Sequence, residues 1–276
     1  MKANYNNPIN YGLVLFTLSG LANKALSIEV DTELILLVDV SGSVDSTEYS
    51  NMMNGYQRAF RDSSVLDAIQ GGKTGSIAAS VVFWSGANDQ QIGVDWTLIN
   101  DASSANSFAD SLSATSRPFS GMTAIGSGIS FGADLFGSET GGAGNGFESI
   151  AQIIDVSGDG TDNNTPPDNS NRAANVRQAR DAALAAGVDM INGLPIGNAG
   201  GALEQYYIDN VIGGSAGGVD AFTQAAIDFT DVESTLVKKL QREVSAGAVE
   251  STAIPEPSTS LLLAAFSSLI LLRRNR

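Results

Sequence analysis

Apolar and polar positions along the chain form blocks that predict strands and helices in turn. Residues 33–40 are a nearly continuous apolar run, which is typical of a strand in the middle of a parallel sheet. Residues 46–61 carry apolar side chains at helical spacing and predict an amphipathic helix. Further strands are predicted at residues 76–84, 93–99 (an edge strand), 149–156, 188–196 and 219–223. Further helices are predicted at residues 102–115, 123–136, 172–186, 203–211 and 228–244. Residues 137–146 are predicted to form a loop. This alternation indicates one α/β domain with a mostly parallel sheet and helices on both faces.

The first 27 residues have the pattern of a secretory signal peptide. Lys2 gives a positive start, and residues 11–22 are an apolar run too short to span a bilayer. Ala25 and Ser27 then place small residues at a cleavage site. We therefore expect residues 1–27 to be a signal peptide and residues 28–248 to form the folded domain.

The other end has three parts: a Pro255-Glu256-Pro257 motif, an apolar stretch over residues 261–272, and three terminal arginines. As a helix, the stretch is about 18 Å long, against about 30 Å of hydrocarbon in a bilayer. This tail closely resembles the PEP-CTERM sorting signal of Gram-negative bacteria that produce exopolysaccharide. The resemblance implies that residues 255–276 are a sorting signal recognised by an exosortase-type membrane protease. Residues 249–254 then form a tether between this signal and the folded domain. An ordinary tail anchor is the alternative. We therefore expect the C-terminus to be anchored in the membrane either transiently, as a sorting signal, or permanently, as a tail anchor.

Composition excludes several classes of site. The chain has no His and no Cys, which removes Ser-His-Asp and Cys-His catalysis, disulfides and thiolate-bound metals. Five of its 15 basic residues lie in the terminal signals, whereas all 30 acidic residues lie between Glu29 and Glu256, a segment of formal charge −20. Such a surface repels nucleic acid and attracts divalent cations, so oxygen ligands and a metal such as Mg²⁺ or Ca²⁺ are the expected chemistry.

Polar side chains follow the predicted strands where ligands bind in α/β sheets, at the carboxyl ends. The strand at residues 33–40 runs into Asp39, Ser41 and Ser43, spaced at alternate positions on a turn. Asp159 follows the strand at residues 149–156, and Thr123 opens a helix between the two. We expect these five side chains to meet at one edge of the sheet.

This set resembles the metal-ion-dependent adhesion site (MIDAS) of von Willebrand factor A (vWA) domains. In that family one loop supplies D-x-S-x-S, a second loop a Thr, and a third loop an Asp before Gly; the matching residues here are Asp39, Ser41, Ser43, Thr123 and Asp159. The resemblance implies a Rossmann-like fold, a bound Mg²⁺ or Mn²⁺, and one open coordination position for an acidic group of a partner. Residues 206–214 also look like an uncharacterised, secreted bacterial branch of these proteins.

Three alternatives accompany this interpretation. The family's usual Thr-Asp-Gly is replaced by Gly-Asp-Gly at residues 158–160, and Asp155 is a rival third-loop acid, although it still lies within the apolar strand. Ser41 and Ser43 could instead cap the helix that begins at residue 46, with acids at its first turn. The Asp- and Asn-rich residues 159–169 could hold a second, weaker Ca²⁺ or form a solvated turn.

The residues therefore favour an exported binding module without catalysis, located in the cell envelope, on the outer surface or in the extracellular matrix. The expected partner is a protein that presents a carboxylate. An acidic exopolysaccharide ranks second, because the acidic domain would repel it. A structural surface or matrix protein is the main alternative. A metal-assisted hydrolase ranks last, because both candidate acids are committed to the metal and leave no general base.

Overall fold

The structure is a computed structural model that describes residues 27–167, 170–197 and 199–247. The predicted tether, the sorting signal and all but the last residue of the signal peptide lie outside these residues. Within the described chain one sheet is formed by β1 (Ile28–Asp39), β2 (Ile77–Trp84), β3 (Gln90–Ile99), β4 (Phe147–Gly158), β5 (Met190–Pro195), β6 (Gly213–Ala216) and β7 (Val219–Asp220). The order is β3-β2-β1-β4-β5-β6-β7, and four adjacent strands, β2, β1, β4 and β5, are parallel.

Helices cover both faces of this sheet. They are α1 (Ser46–Arg61), α2 (Ser63–Gln70), α3 (Ala102–Ser113), α4 (Ile125–Ala133), α5 (Arg172–Ala186), α6 (Ala202–Asn210) and α7 (Val232–Gly247). Side chains of β1 alternate between the faces: Leu34 and Leu36 pack with α1, α2, α3 and α7, whereas Ile35 and Leu37 pack with α4, α5 and α6. The apolar run at residues 33–40 is thus explained by burial on both sides, and the predicted α/β fold class is confirmed.

The predicted helices at residues 46–61 and 172–186 have the observed bounds, and β3 is an edge strand as expected. Two short elements, α2 and β6, were not predicted. Asp62 explains the first of them, because it ends α1 and its side chain caps α2 by accepting a hydrogen bond from the N–H of Ser64. The predicted loop at residues 137–146 is wrong at its start, where a 3-10 helix spans Asp134–Thr140.

Parallel pairing brings the carboxyl ends of β1 and β4 together. Val38 on β1 is in register with Ser157 on β4, so both strands end at the same edge. Asp39, the last residue of β1, therefore lies beside the chain that leaves β4 after Gly158. The two predicted acidic loops become neighbours through strand order alone.

The central strand also buries an acid away from that edge. Glu33 on β1 is fully buried, and its Oε1 accepts a hydrogen bond of 2.5 Å from Nδ2 of Asn145. Burial raises the pKa of Glu33 to about 8; the bond from Asn145 opposes this rise, and the nearby carboxyl of Glu139 adds to it. The folded protein thus holds a proton on Glu33 that the unfolded chain releases above pH of about 4.5.

We expect Glu33→Gln to stabilise the protein at high pH. Because the pKa is raised in the folded state, the contribution of Glu33 is fully present below pH of about 4.5 and is lost as the pH rises towards about 8. The variant should match the parent near pH 4 and exceed its free energy of unfolding by on the order of 4 kcal/mol at pH 8. Urea unfolding across this range measures the effect, with Glu29→Gln, at an exposed position of the same strand, as the control. Equal pH profiles for parent and Glu33→Gln would contradict it.

Candidate metal centre

The first candidate loop leaves the sheet at Asp39, the last residue of β1. Its carboxylate is buried, and its Oδ1 accepts a hydrogen bond of 2.7 Å from the backbone N–H of Ser41. The hydroxyl oxygens of Ser41 and Ser43 are 3.1 Å apart. Neither serine caps α1, because the N-cap is Asp45, whose carboxylate accepts hydrogen bonds from the first helical turn. Both hydroxyls are therefore available as ligands.

The second acid reaches the same place from β4. Asp159 follows the end of β4 and is half-buried, and its Oδ1 accepts a hydrogen bond of 2.7 Å from the hydroxyl of Ser43. A chain of contacts thus connects Asp39, Ser41, Ser43 and Asp159 across two loops. The structure brings these four predicted residues together at the carboxyl edge of the sheet.

Asp155, the rival acid, lies elsewhere. It sits within β4 with its side chain fully buried, and its Oδ1 lies 2.7 Å from Nζ of Lys239 on α7. This ion pair commits the carboxylate to the interior of the domain. The geometry therefore favours Asp159 as the third-loop acid.

Thr123 lies in the loop before α4, at the same edge, and its side chain is buried. Its loop contacts the first one through a hydrogen bond of 2.8 Å from the N–H of Gly42 to the carbonyl of Gly121. The hydroxyl of Thr123 is engaged by a long hydrogen bond of 3.4 Å from Nδ2 of Asn163. Among the described residues, Thr123 thus joins the site through its loop rather than through a direct bond to the other four side chains.

The electrostatics of this edge suit a cation. Asp39 is fully buried, and its Oδ2 has no hydrogen-bond partner within the described part of the protein. Burial raises the pKa of Asp39 to about 7, and the nearby charge of Asp159 adds to the rise. A buried carboxylate with an unpaired oxygen is costly, and a divalent cation with oxygen ligands would relieve that cost. Two carboxylates and neighbouring hydroxyls therefore fit Mg²⁺ or Mn²⁺.

Two residues that hold the loops together were not predicted. Ser85, after β2, accepts a hydrogen bond of 2.7 Å from the N–H of Gly121 and donates one of 3.1 Å to the carbonyl of Met122. Arg117 donates to the carbonyls of Val40 and Ser41 at 3.1 and 2.5 Å. Arg117 is the only basic residue between positions 74 and 171, and that isolation was the signal available in the sequence.

The Asp- and Asn-rich loop after β4 accepts hydrogen bonds from the loops around the site. Asp162 is buried and accepts a hydrogen bond of 2.7 Å from the N–H of Ile125, at the start of α4. Asn163 accepts one of 2.9 Å from the N–H of Thr123, and Asn164 one of 2.8 Å from the N–H of Ala87. These contacts tie the loop to α4, to Thr123 and to Ala87, and the predicted second Ca²⁺ site of residues 159–169 stays a prediction, since residues 168 and 169 lie outside the described part of the chain.

The part of the chain that the structure describes contains neither a cluster of three acidic metal ligands nor a membrane-spanning helix. No group of three or more Asp or Glu side chains lies close enough together there to hold a metal ion. None of the helices there combines the length and the apolar character needed to cross a membrane.

Solved structures with this architecture are vWA-type domains. The chain is similar to proximal thread matrix protein 1 of the mussel byssus, solved with a zinc-occupied MIDAS motif, at 17% identity and a TM-score of 0.53, covering 79% of this chain and 49% of that one. It is also similar to the von Willebrand factor type A protein from Catenulispora acidiphila (14% identity, TM-score 0.50, 80% and 43%). The open conformation of the pilus adhesin SpaC from Lactobacillus rhamnosus GG gives 14% identity and a TM-score of 0.54, covering 80% and 31%.

The fold is therefore of the vWA type, as the sequence predicted. The chain spans about half the length of the mussel protein and less of the other two. No curated protein sequence matches the chain. The chain belongs to the family described as "Protein of unknown function (DUF1194)", whose model matches residues 29–248.

Proposed function

We propose that this protein is an exported, metal-dependent binding module that recognises an acidic group of a partner and catalyses no reaction. Asp39 and Asp159 supply negative charge to a Mg²⁺ or Mn²⁺, and the hydroxyls of Ser41, Ser43 and Thr123 supply neutral oxygen. Such a cation, when bound, offers a coordination position to a carboxylate of the partner.

The observation that carries this proposal is the convergence of two acidic loops on a buried carboxylate whose second oxygen has no hydrogen-bond partner among the described residues. The contact from Ser43 to Asp159 spans 116 positions in the sequence, so the arrangement is a property of the fold rather than of a local turn. The buried Oδ2 of Asp39 makes the arrangement costly without a cation, and that cost is typical of a functional site.

Catalysis is the weaker candidate because the site lacks a general base. The chain has no His or Cys, and both acids at the edge belong to the proposed metal set. The excess of 30 acidic over 15 basic residues also favours a partner protein over an acidic polysaccharide, which the domain would repel.

The proposed location is the cell envelope, the outer surface or the extracellular matrix. It is supported by the signal-peptide pattern of residues 1–27 and by the PEP-CTERM-like residues 255–276, which imply processing by an exosortase-type protease. Two similar structures belong to a pilus adhesin and to a byssal thread matrix protein. At 14–17% identity these relatives support the fold, and their locations agree with the proposal by analogy.

The proposal is tested by capture of acidic peptides on the immobilised protein. Two hexapeptide libraries are compared, one with a fixed central Glu and the other with Gln at that position. In Mg²⁺ we expect at least about tenfold more of the Glu library to be retained, and EDTA should abolish the difference, because the carboxylate binds through the cation. Equal retention of both libraries, or retention of the Glu library in EDTA, would contradict metal-bridged recognition and would favour a structural protein.

A further inference from the structure

Two neighbouring tyrosines on α6 belong to the segment 206–214, which the proposed ligand set does not use. The hydroxyls of Tyr206 and Tyr207 are both buried, and neither has a hydrogen-bond partner among the described residues. Buried polar groups of this kind are rare in native proteins and call for a physical explanation. The surroundings of Tyr207 give one.

The ring of Tyr207 occupies a slot made by two glycines on adjacent strands. A Cβ at Gly193 of β5 would lie 2.7 Å from Cδ1 of the ring, and a Cβ at Gly158 of β4 would lie 2.7 Å from the Tyr207 hydroxyl oxygen. Real Cβ atoms do not approach other atoms so closely, so any side chain at either position would displace the ring. The two strands therefore fix where this hydroxyl lies.

The hydroxyl lies next to the unpaired oxygen of the metal site. The same Cβ position at Gly158 is 2.7 Å from the Tyr207 hydroxyl oxygen and 2.9 Å from Oδ2 of Asp39, so the two oxygens are at most 5.6 Å apart, the sum of these two distances. Both oxygens are buried, and neither has a hydrogen-bond partner in residues 27–167, 170–197 and 199–247. A phenol is a hydrogen-bond donor at neutral pH, and an ionised carboxylate is an acceptor, so the two groups are chemically matched.

We propose that Tyr207 is a positioning residue of the metal site, whose hydroxyl donates a hydrogen bond to Oδ2 of Asp39 through one water molecule. This inference rests on the proposed function. The bond fixes the orientation of the Asp39 carboxyl before the cation binds. Hydrogen-bonded partners of metal ligands typically change metal affinity by 10- to 100-fold.

The test is the affinity for Mn²⁺, measured from the electron paramagnetic resonance signal of the free ion during titration. Tyr207→Phe removes one oxygen and keeps the ring that fills the glycine slot. Tyr206→Phe is the matched control, because it removes an equally unpaired hydroxyl from the adjacent position. We expect Tyr207→Phe to weaken Mn²⁺ binding about tenfold and Tyr206→Phe to leave it within twofold.

Stability in EDTA separates positioning from a general loss of structure. The midpoint of thermal unfolding of Tyr207→Phe should stay close to that of the parent, because its packing is retained. Mn²⁺ affinity within twofold of the parent, or equal loss in both tyrosine variants, overturns the role of Tyr207 and leaves the proposed function intact. Absence of Mn²⁺ binding by the parent overturns both.

Discussion

Lys239→Met is expected to lower the free energy of unfolding by about 3–5 kcal/mol at pH 8. Lys239 on α7 is fully buried between two acids, Asp155 on β4 and Glu243 one helical turn further along α7. Glu243 also accepts a hydrogen bond of 3.0 Å from Nδ2 of Asn192 on β5. Removal of the ammonium group leaves two carboxyls in the core without their cation. Urea unfolding of parent and variant measures the loss.

The controls for this prediction lie in the same helix. Lys238→Met changes an exposed lysine and should alter stability by less than about 0.5 kcal/mol. Replacement of all three buried groups, as Lys239→Met with Asp155→Val and Glu243→Leu, should recover most of the loss, because no buried charge then remains. A loss below about 1 kcal/mol for Lys239→Met alone would contradict the assigned role of this ion cluster.

The pH dependence of the lysine variant has a defined sign. Burial raises the pKa of Asp155 and raises that of Glu243 to about 7, while Lys239 opposes both shifts. Without Lys239 the acids should stay protonated to higher pH, so the variant's deficit should be small near pH 4 and grow as the pH rises through about 7. A deficit that does not depend on pH would show that lost packing, rather than charge, causes the destabilisation.

Those parts of the fold that depend on local pattern could be predicted from the sequence. The helix Ser46–Arg61 was predicted at its observed bounds because its apolar stripe is regular, and Asp45 and Glu48 form a capping box at its start. The burial of Asp155 could also be predicted from its position in the strand, whereas the assignment of Asp159 as a metal ligand stays a prediction. A carboxyl inside an apolar strand must be buried, and Asp155 is paired with a lysine in the core.

What the sequence could not supply are the contacts that join distant segments. The bonds from Arg117 to the carbonyls of Val40 and Ser41 span about 77 positions, and nothing in the spacing of these residues indicates them. The glycine slot for Tyr207 likewise depends on β4 and β5 lying side by side. The short helix α2 was missed because its eight residues bury only Val65 and Ile69, which is too few for a recognisable period.

Asp39→Asn is expected to remove metal binding and yet to stabilise the metal-free protein. The amide keeps an oxygen that can accept the hydrogen bond from Ser41, but it removes one of the two negative charges at the site. Mn²⁺ affinity should fall at least about 100-fold, because divalent cations of this type are held mainly by carboxylates. Titration monitored through the signal of free Mn²⁺ gives the affinity.

The gain in stability follows from the same burial. In EDTA the Asp39 carboxylate is fully buried beside the charge of Asp159 and has no cation to balance its own charge, and the neutral amide avoids this cost. Urea unfolding in EDTA at pH 8 should show the variant more stable by about 1–2 kcal/mol. Asp67→Asn, at an exposed position of α2, should change neither quantity. An Asp39→Asn variant that binds Mn²⁺ like the parent would refute the metal site. A variant less stable than the parent in EDTA would show that this carboxylate is not destabilising without a cation, and the cost on which the functional proposal depends would be absent.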